Sequence, residues 1–175
     1  MIFLKKQIFF LLLLCWLGCF NHPDNSTQIF QKIHQINEQM AVLFEEGSPG
    51  ELATFYTKDA IVFGPDDELV GRPAIKQYWE RIKSPVSLSI EVLDLNIEID
   101  SLNFIQKNKK VKAEIPQVFI DQLDEDINHV YQLTKTTLAY EREDVTFYKG
   151  ETISLINWQE QPEGFYQIKR VWLMQ

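Results

Sequence analysis

His129 and Tyr131 lie two positions apart in a stretch that reads as a strand, so both side chains are expected on one face. Together they supply a group that titrates near neutrality and a hydroxyl, the materials of proton transfer at a carbonyl. Farther along, Arg170 shares parity with Tyr166, Ile168, Trp172 and Met174, which predicts a fixed cation beside aromatic surface on the last strand. With His129 as base, Tyr131 as hydrogen-bond donor and Arg170 as electrostatic stabiliser, the three form a candidate catalytic set. A competing reading makes His129 structural or part of a dimer sheet, and has Arg170 snorkel from the sheet rim or pair with an acid such as Glu160 or Glu91. Tyr56, Tyr78, Trp158, Arg170 and Trp172 are the expected lining of a ligand pocket, against the commoner alternative that such aromatics fill a core.

Other chemistries find less support. His22 lies near the N-terminus and His34 on the first expected helix, so no second histidine or cysteine stands at ligand spacing and no metal site is expected. Neither a Ser-His-Asp order, a phosphate-binding glycine loop nor a paired-carboxylate motif rises above chance, and no cofactor is expected. With 17 Lys+Arg against 25 Asp+Glu the chain carries a formal charge of -8, a surface that repels phosphate backbones and excludes nucleic acid as a partner.

Lys5 and Lys6 precede an uninterrupted apolar run from Ile8 to Phe20, and Asn21 to Asn25 then turns polar. That layout is an export signal over residues 1–18, too short for a membrane-spanning helix of about 20 residues. Cys15 and Cys19 both fall in or at the edge of this segment, which leaves the folded part with neither an internal disulfide nor a thiolate site. Trp16-Leu17-Gly18-Cys19 resembles a bacterial lipobox, although Trp16 stands where an aliphatic residue is usual. The resemblance implies lipidation at Cys19, a tether over residues 19–25 and a membrane-anchored location in the cell envelope; the alternative is an ordinary cleaved signal and a periplasmic or secreted protein.

The elements that must position these residues follow from periodicity. Ile29, Phe30, Ile33, Ile36, Met40, Leu43 and Phe44 recur at three- and four-residue intervals, one stripe of a helix closed near Gly47. A short helix fits Pro49 to Tyr56, a hairpin Ala60 to Val70 around Gly64-Pro65-Asp66-Asp67, and a third helix Arg72 to Ile82. Everything after Pro85 reads as strand. Apolar residues hold even positions from Val86 to Val92 and odd ones from Leu93 to Ile99, which predicts a β-bulge between residues 92 and 93. Asn108-Lys109-Lys110 reads as a turn into a strand over Val111 to Ile120, with an acidic loop from Asp121 to Asp126. Strands are expected at Asn128 to Tyr140, Val145 to Trp158 and Phe165 to Met174. The order describes an α+β domain over residues 26–175, three N-terminal helices packed on a strongly curved antiparallel sheet.

The stretch Phe55 to Pro65, then Val70-Gly71-Arg72-Pro73-Ala74-Ile75 and Tyr78-Trp79, resembles the signature of the NTF2-like, or SnoaL-like, superfamily. So does the ending Gly164-Phe165-Tyr166-Gln167-Ile168 with Val171-Trp172, while residues 103–126 depart from the family spacing as an insertion would. The resemblance implies a cone with a pocket between the concave sheet face and the helices, often dimeric through the sheet. It does not imply one activity. In the ketosteroid isomerase branch the proton-shuttling aspartate precedes the hairpin proline, and Gly64 stands there here; that branch's oxyanion-binding tyrosine matches Met40. Gly and Met neither shuttle a proton nor donate a strong hydrogen bond, so isomerase chemistry by that route is not expected. Asp59 matches a common family position and is read as a turn or capping residue.

The leading expectation is an exported, lipid-anchored domain that binds a small, partly apolar ligand. The alternatives are an acid/base enzyme of isomerase, cyclase or dehydratase type acting on a hydrophobic carbonyl compound, and a homodimeric protein-interaction module.

Overall fold

A computed structural model describes residues 25–65, 67–96, 129–142 and 147–174. The expected export signal, Cys19, nearly all of the tether, Asp66, and the turn, strand and acidic loop expected between residues 103 and 126 lie outside the described residues. Among the described residues no helix is long and apolar enough to cross a membrane.

Helix α1, Asn25–Glu45, buries Ile29, Ile33, Asn37, Met40 and Phe44, the side of a helix that 3.6-residue periodicity lines up. It ends where Gly47 takes φ +67°; Ser48 N–H then donates to the Leu43 carbonyl and Gly47 N–H to that of Phe44, a glycine-closed terminus that satisfies otherwise orphaned carbonyls. Helix α2, Pro49–Leu52, and a single 3₁₀ turn, Ala53–Phe55, lead into β1, Tyr56–Phe63. β1 and β2, Glu68–Val70, form the expected hairpin, and α3, Gly71–Glu80, follows directly. The rest is sheet: β3 Pro85–Asn96, β4 His129–Glu141, β5 Phe147–Glu160 and β6 Tyr166–Met174.

The six strands run in the order β2-β1-β6-β5-β4-β3. The expectation of a wholly antiparallel sheet is corrected at one seam, where β1 and β6 pair in parallel. The cause is topological: α3 carries the chain from the β2 edge to the β3 edge, and three reversals from β3 then bring β6 back beside β1 in the same direction. The bulge expected in β3 is present as a register shift between Val92 and Asp94. A second interrupts the β5–β6 ladder, where Asn157 pairs with Arg170 but its neighbour Trp158 pairs with Ile168. Such insertions bend a sheet and sharpen its twist.

The main core lies between the helices and the concave face, joining Ile33, Met40 and Phe44 of α1 and Ile75 of α3 to Leu88, Val130, Ile156, Trp158, Ile168 and Val171 of the sheet. A separate apolar cluster of Tyr131, Leu133, Leu155, Trp172 and Met174 occupies the opposite, outer face, joined by Phe63, Leu93 and Ile153.

Candidate functional site

A cavity of about 380 Å³ opens between α1, α3 and the concave face. Its apolar wall comes from Met40 on α1, Ile75 on α3, and Leu88, Ile90, Leu138, Ile156 and Val171 on the strands. Inward-facing positions of β4 and β5 add the hydroxyls of Thr136, Thr152 and Ser154, and α1 adds the carboxamide of Asn37. Two charged side chains line it, Asp67 and Arg81, and both residues are exposed. The hollow interior is therefore apolar with neutral hydrogen-bonding groups, the composition of a small-molecule pocket.

Local structure fixes these groups. Tyr56 begins β1, where its carbonyl accepts hydrogen bonds from Nε and Nη2 of Arg72, tying the start of the strand to α3. Burial, reinforced by neighbouring Tyr78, pushes the Tyr56 hydroxyl well above its ordinary pKa. Burial and the nearby Tyr140 and Tyr148 raise Tyr78 in the same direction. Both stay protonated near neutrality, donors and not bases. At the mouth, Gly64 N–H donates to the Asp67 carbonyl at 2.8 Å, and a Cβ at Gly64 would stand 2.9 Å from that oxygen. The tight turn thus favours glycine at this position.

Asn37 is 4% exposed, and neither its Oδ1 nor its Nδ2 has a hydrogen-bond partner. Deeper on the same sheet face, Trp158 Nε1 donates to Gln132 Oε1 at 2.9 Å, and Thr134 Oγ1 reaches the Ser154 carbonyl at 3.4 Å.

Of the expected pocket residues, Tyr56 and Tyr78 stand in the cavity wall, while Trp158 is in the adjoining core and does not line it. Arg170 and Trp172 face the other way. Their expected common parity with Tyr166 and Ile168 fails because the β6 bulge extrudes Lys169, leaving Tyr166 and Ile168 inward and turning Arg170, Trp172 and Met174 outward. The set His129, Tyr131 and Arg170 does share a face, but it is the outer one. Tyr131 pairs with Asn157, which pairs with Arg170, and Asn157 Nδ2 lies 3.0 Å from His129 Nδ1. The cavity wall contains none of the three.

Asp59, expected in a turn or cap, is instead within β1, where it accepts from Lys169 Nζ and, at 3.0 Å, from Thr57 Oγ1. The lysine holds its carboxyl below the usual range. Sequence reasoning missed Asn37, Thr136, Thr152 and Ser154. Their signal is a polar residue at a position whose neighbours in phase are core: Asn37 follows Ile29 and Ile33 at intervals of four, and Thr136 lies two residues from Leu138.

No protein-family profile and no curated protein matches the chain. Solved structures do. A protein of unknown function from Mycobacterium tuberculosis superposes with a TM-score of 0.59 at 13% identity, over 89% of this chain and 76% of that one. A ketosteroid isomerase-like protein from Erwinia carotovora atroseptica gives 0.55 at 10% identity, over 82% and 92%. An NTF2-like protein with a cystatin-like fold from Novosphingobium aromaticivorans gives 0.52 at 9%, over 87% and 90%. At such identities the likeness speaks for the fold and leaves activity open. In architecture, the chain has the NTF2-like, cystatin-like fold.

Proposed function

We propose that this chain is a binding domain that takes a small, partly apolar ligand in the cone between its helices and the concave sheet face. The observation that carries this reading is the cavity of about 380 Å³ with an apolar wall, neutral hydrogen-bonding groups inside and its two charged side chains exposed. Arg170 faces away from it, so the ligand need not be an anion. The position of His129, Tyr131 and Arg170 on the outer face leaves acid/base chemistry in the cavity without the groups first expected to perform it.

Titration with the neutral fluorophore N-phenyl-1-naphthylamine tests the reading. Saturable binding at one site per chain is expected, weakened when Thr136→Trp fills the cavity; non-saturating or absent fluorescence enhancement with the wild-type chain overturns it.

The same proposal places the domain outside the cytoplasm, held to a membrane by a lipid on Cys19, with self-association through the sheet. The charged, apolar and then polar N-terminus and the Gly18-Cys19 pair support the address. Incorporation of a labelled fatty acid into the full chain expressed in a bacterium, abolished by Cys19→Ser, is the expected result; sedimentation of the purified chain reads its association.

A further inference from the structure

From the cavity's polar groups we infer that the ligand carries an uncharged carboxamide or lactam head, held edge to edge by the side-chain amide of Asn37. The inference rests on the binding reading above and names the chemistry that the pocket would select.

Asn37 occupies a place on α1 where its helical neighbours Ile33 and Met40 are core. Its Oδ1 and Nδ2 are both buried without a partner. A buried donor or acceptor left unpaired retains the whole desolvation penalty of the group, and here two such atoms belong to one side chain on a cavity wall. In this conformation neither atom is exposed, so the amide must turn to meet a ligand. The final torsion of an asparagine is broad and two-fold, which lets the amide edge turn toward an incoming group without a change of rotamer well.

The unmet requirement is one acceptor and one donor side by side. A carboxamide or lactam supplies that pair. A carboxylate supplies acceptors only, would set an anionic oxygen against Oδ1, and would bring a charge to a place whose two charged neighbours, Asp67 and Arg81, are exposed. An ammonium group supplies donors only. A hydrocarbon satisfies neither atom. Met40, Ile75, Leu88, Ile90 and Leu138 then enclose an apolar body.

Competition against bound N-phenyl-1-naphthylamine provides the test, with three ligands of one skeleton: 2-naphthamide, 2-naphthoate and 2-methylnaphthalene. The expected result is displacement by the amide at about a tenfold lower concentration than by either analogue, the effect of a net hydrogen bond of ordinary strength. In Asn37→Leu, folding checked by circular dichroism, the amide-to-methylnaphthalene ratio should fall to about one; Asn37→Met carries the same comparison if the leucine variant does not fold. Naphthoate matching or surpassing the amide, or an amide preference that survives loss of Asn37, overturns the inference while leaving the binding reading intact. Failure of the wild-type chain to bind the fluorophore overturns the binding reading itself, and the inference with it.

Discussion

Alternate residues of the same strands build two sheet faces of opposite character. On the outer face the rings of Phe63 and Trp172 stack with centroids 5.7 Å apart, and Leu133, Leu155 and Trp172 are at most 1% exposed. On the concave face those strands supply Thr136, Thr152 and Ser154 to a hollow of about 380 Å³, opposite an amide with no partner. The backbone ladder is common to both, so the difference lies in the side chains and in the direction of curvature. A sheet bent by bulges opens volume on its concave side, and small hydroxyls there leave it unfilled. Both faces contribute to stability, the concave one through the main core beside the cavity, but only the concave face also keeps space.

Substitutions of matched intent separate the two most clearly. Trp172→Ala is expected to cost about 3–5 kcal/mol, the range for deleting a large aromatic from a close-packed cluster, read as a lower midpoint in urea unfolding. Thr136→Val, on the cavity wall, should shift stability by less than about 1 kcal/mol. Equal costs at the two sites would show that the inner face is as tightly built as the outer. A stabilising change sharpens the contrast further: Asn37→Leu should raise the stability of the ligand-free chain by about 1–3 kcal/mol, because it removes two orphaned polar groups. A loss of stability would mean that the amide is satisfied in solution.

How far the sequence disclosed these faces depended on which positions carried a contrast. In β3 the apolar set changes parity between Val92 and Leu93, and the bulge follows from that change alone. In β6 the inward residues Ile168, Val171 and Leu173 and the outward Trp172 and Met174 are all apolar, so the strand offers no alternation from which its bulge could be read. Arg170 and Trp172 were consequently expected in the pocket. Family-like motifs in residues 55–79 and 164–172 carried the fold, because Gly71 at φ +82° and Gly164 at φ +79° punctuate it at backbone geometries that favour glycine. The parallel pairing of β1 with β6 depends on which sheet edge α3 crosses to, which local pattern does not encode. Asn37 was legible only as an anomaly on an apolar stripe, and its lack of a partner is a three-dimensional fact.

The cavity mouth offers a smaller effect. A methyl group at Gly64 would lie 2.9 Å from the Asp67 carbonyl oxygen, a backbone atom that yields only if the turn opens. Gly64→Ala should therefore cost about 1–2 kcal/mol, measured by thermal unfolding. Gly64→Asp should carry at least that cost, so placing a carboxylate at this position demands a rebuilt turn as well. A neutral effect would show that the turn is looser than its 2.8 Å hydrogen bond implies. Ligand affinity should meanwhile stay flat from about pH 6 to 9, since burial makes the cavity's tyrosines titrate above that range.

The smallest effect lies where the two faces exchange parity. Lys169 is the residue the β6 bulge extrudes, and its ammonium reaches Asp59 across the parallel seam, where the β1–β6 register also slips. The Lys169 hydrogen bond draws the Asp59 carboxyl below its ordinary pKa, opposed by partial burial and aided by Thr57. A folded-state pKa below the unfolded value means that the contribution is present above the unfolded pKa and is lost as pH falls through the folded one. Because the Asp59 side chain is 72% exposed, solvent screens the pair and its worth at pH 7 is under about 1 kcal/mol. Lys169→Met should thus lower stability slightly near neutrality, and the gap to wild type should close as pH drops below about 4. A gap that persists in acid would assign the lysine's role to packing along the bulge, and the switch between the filled and the hollow face would then be held by shape and not by charge.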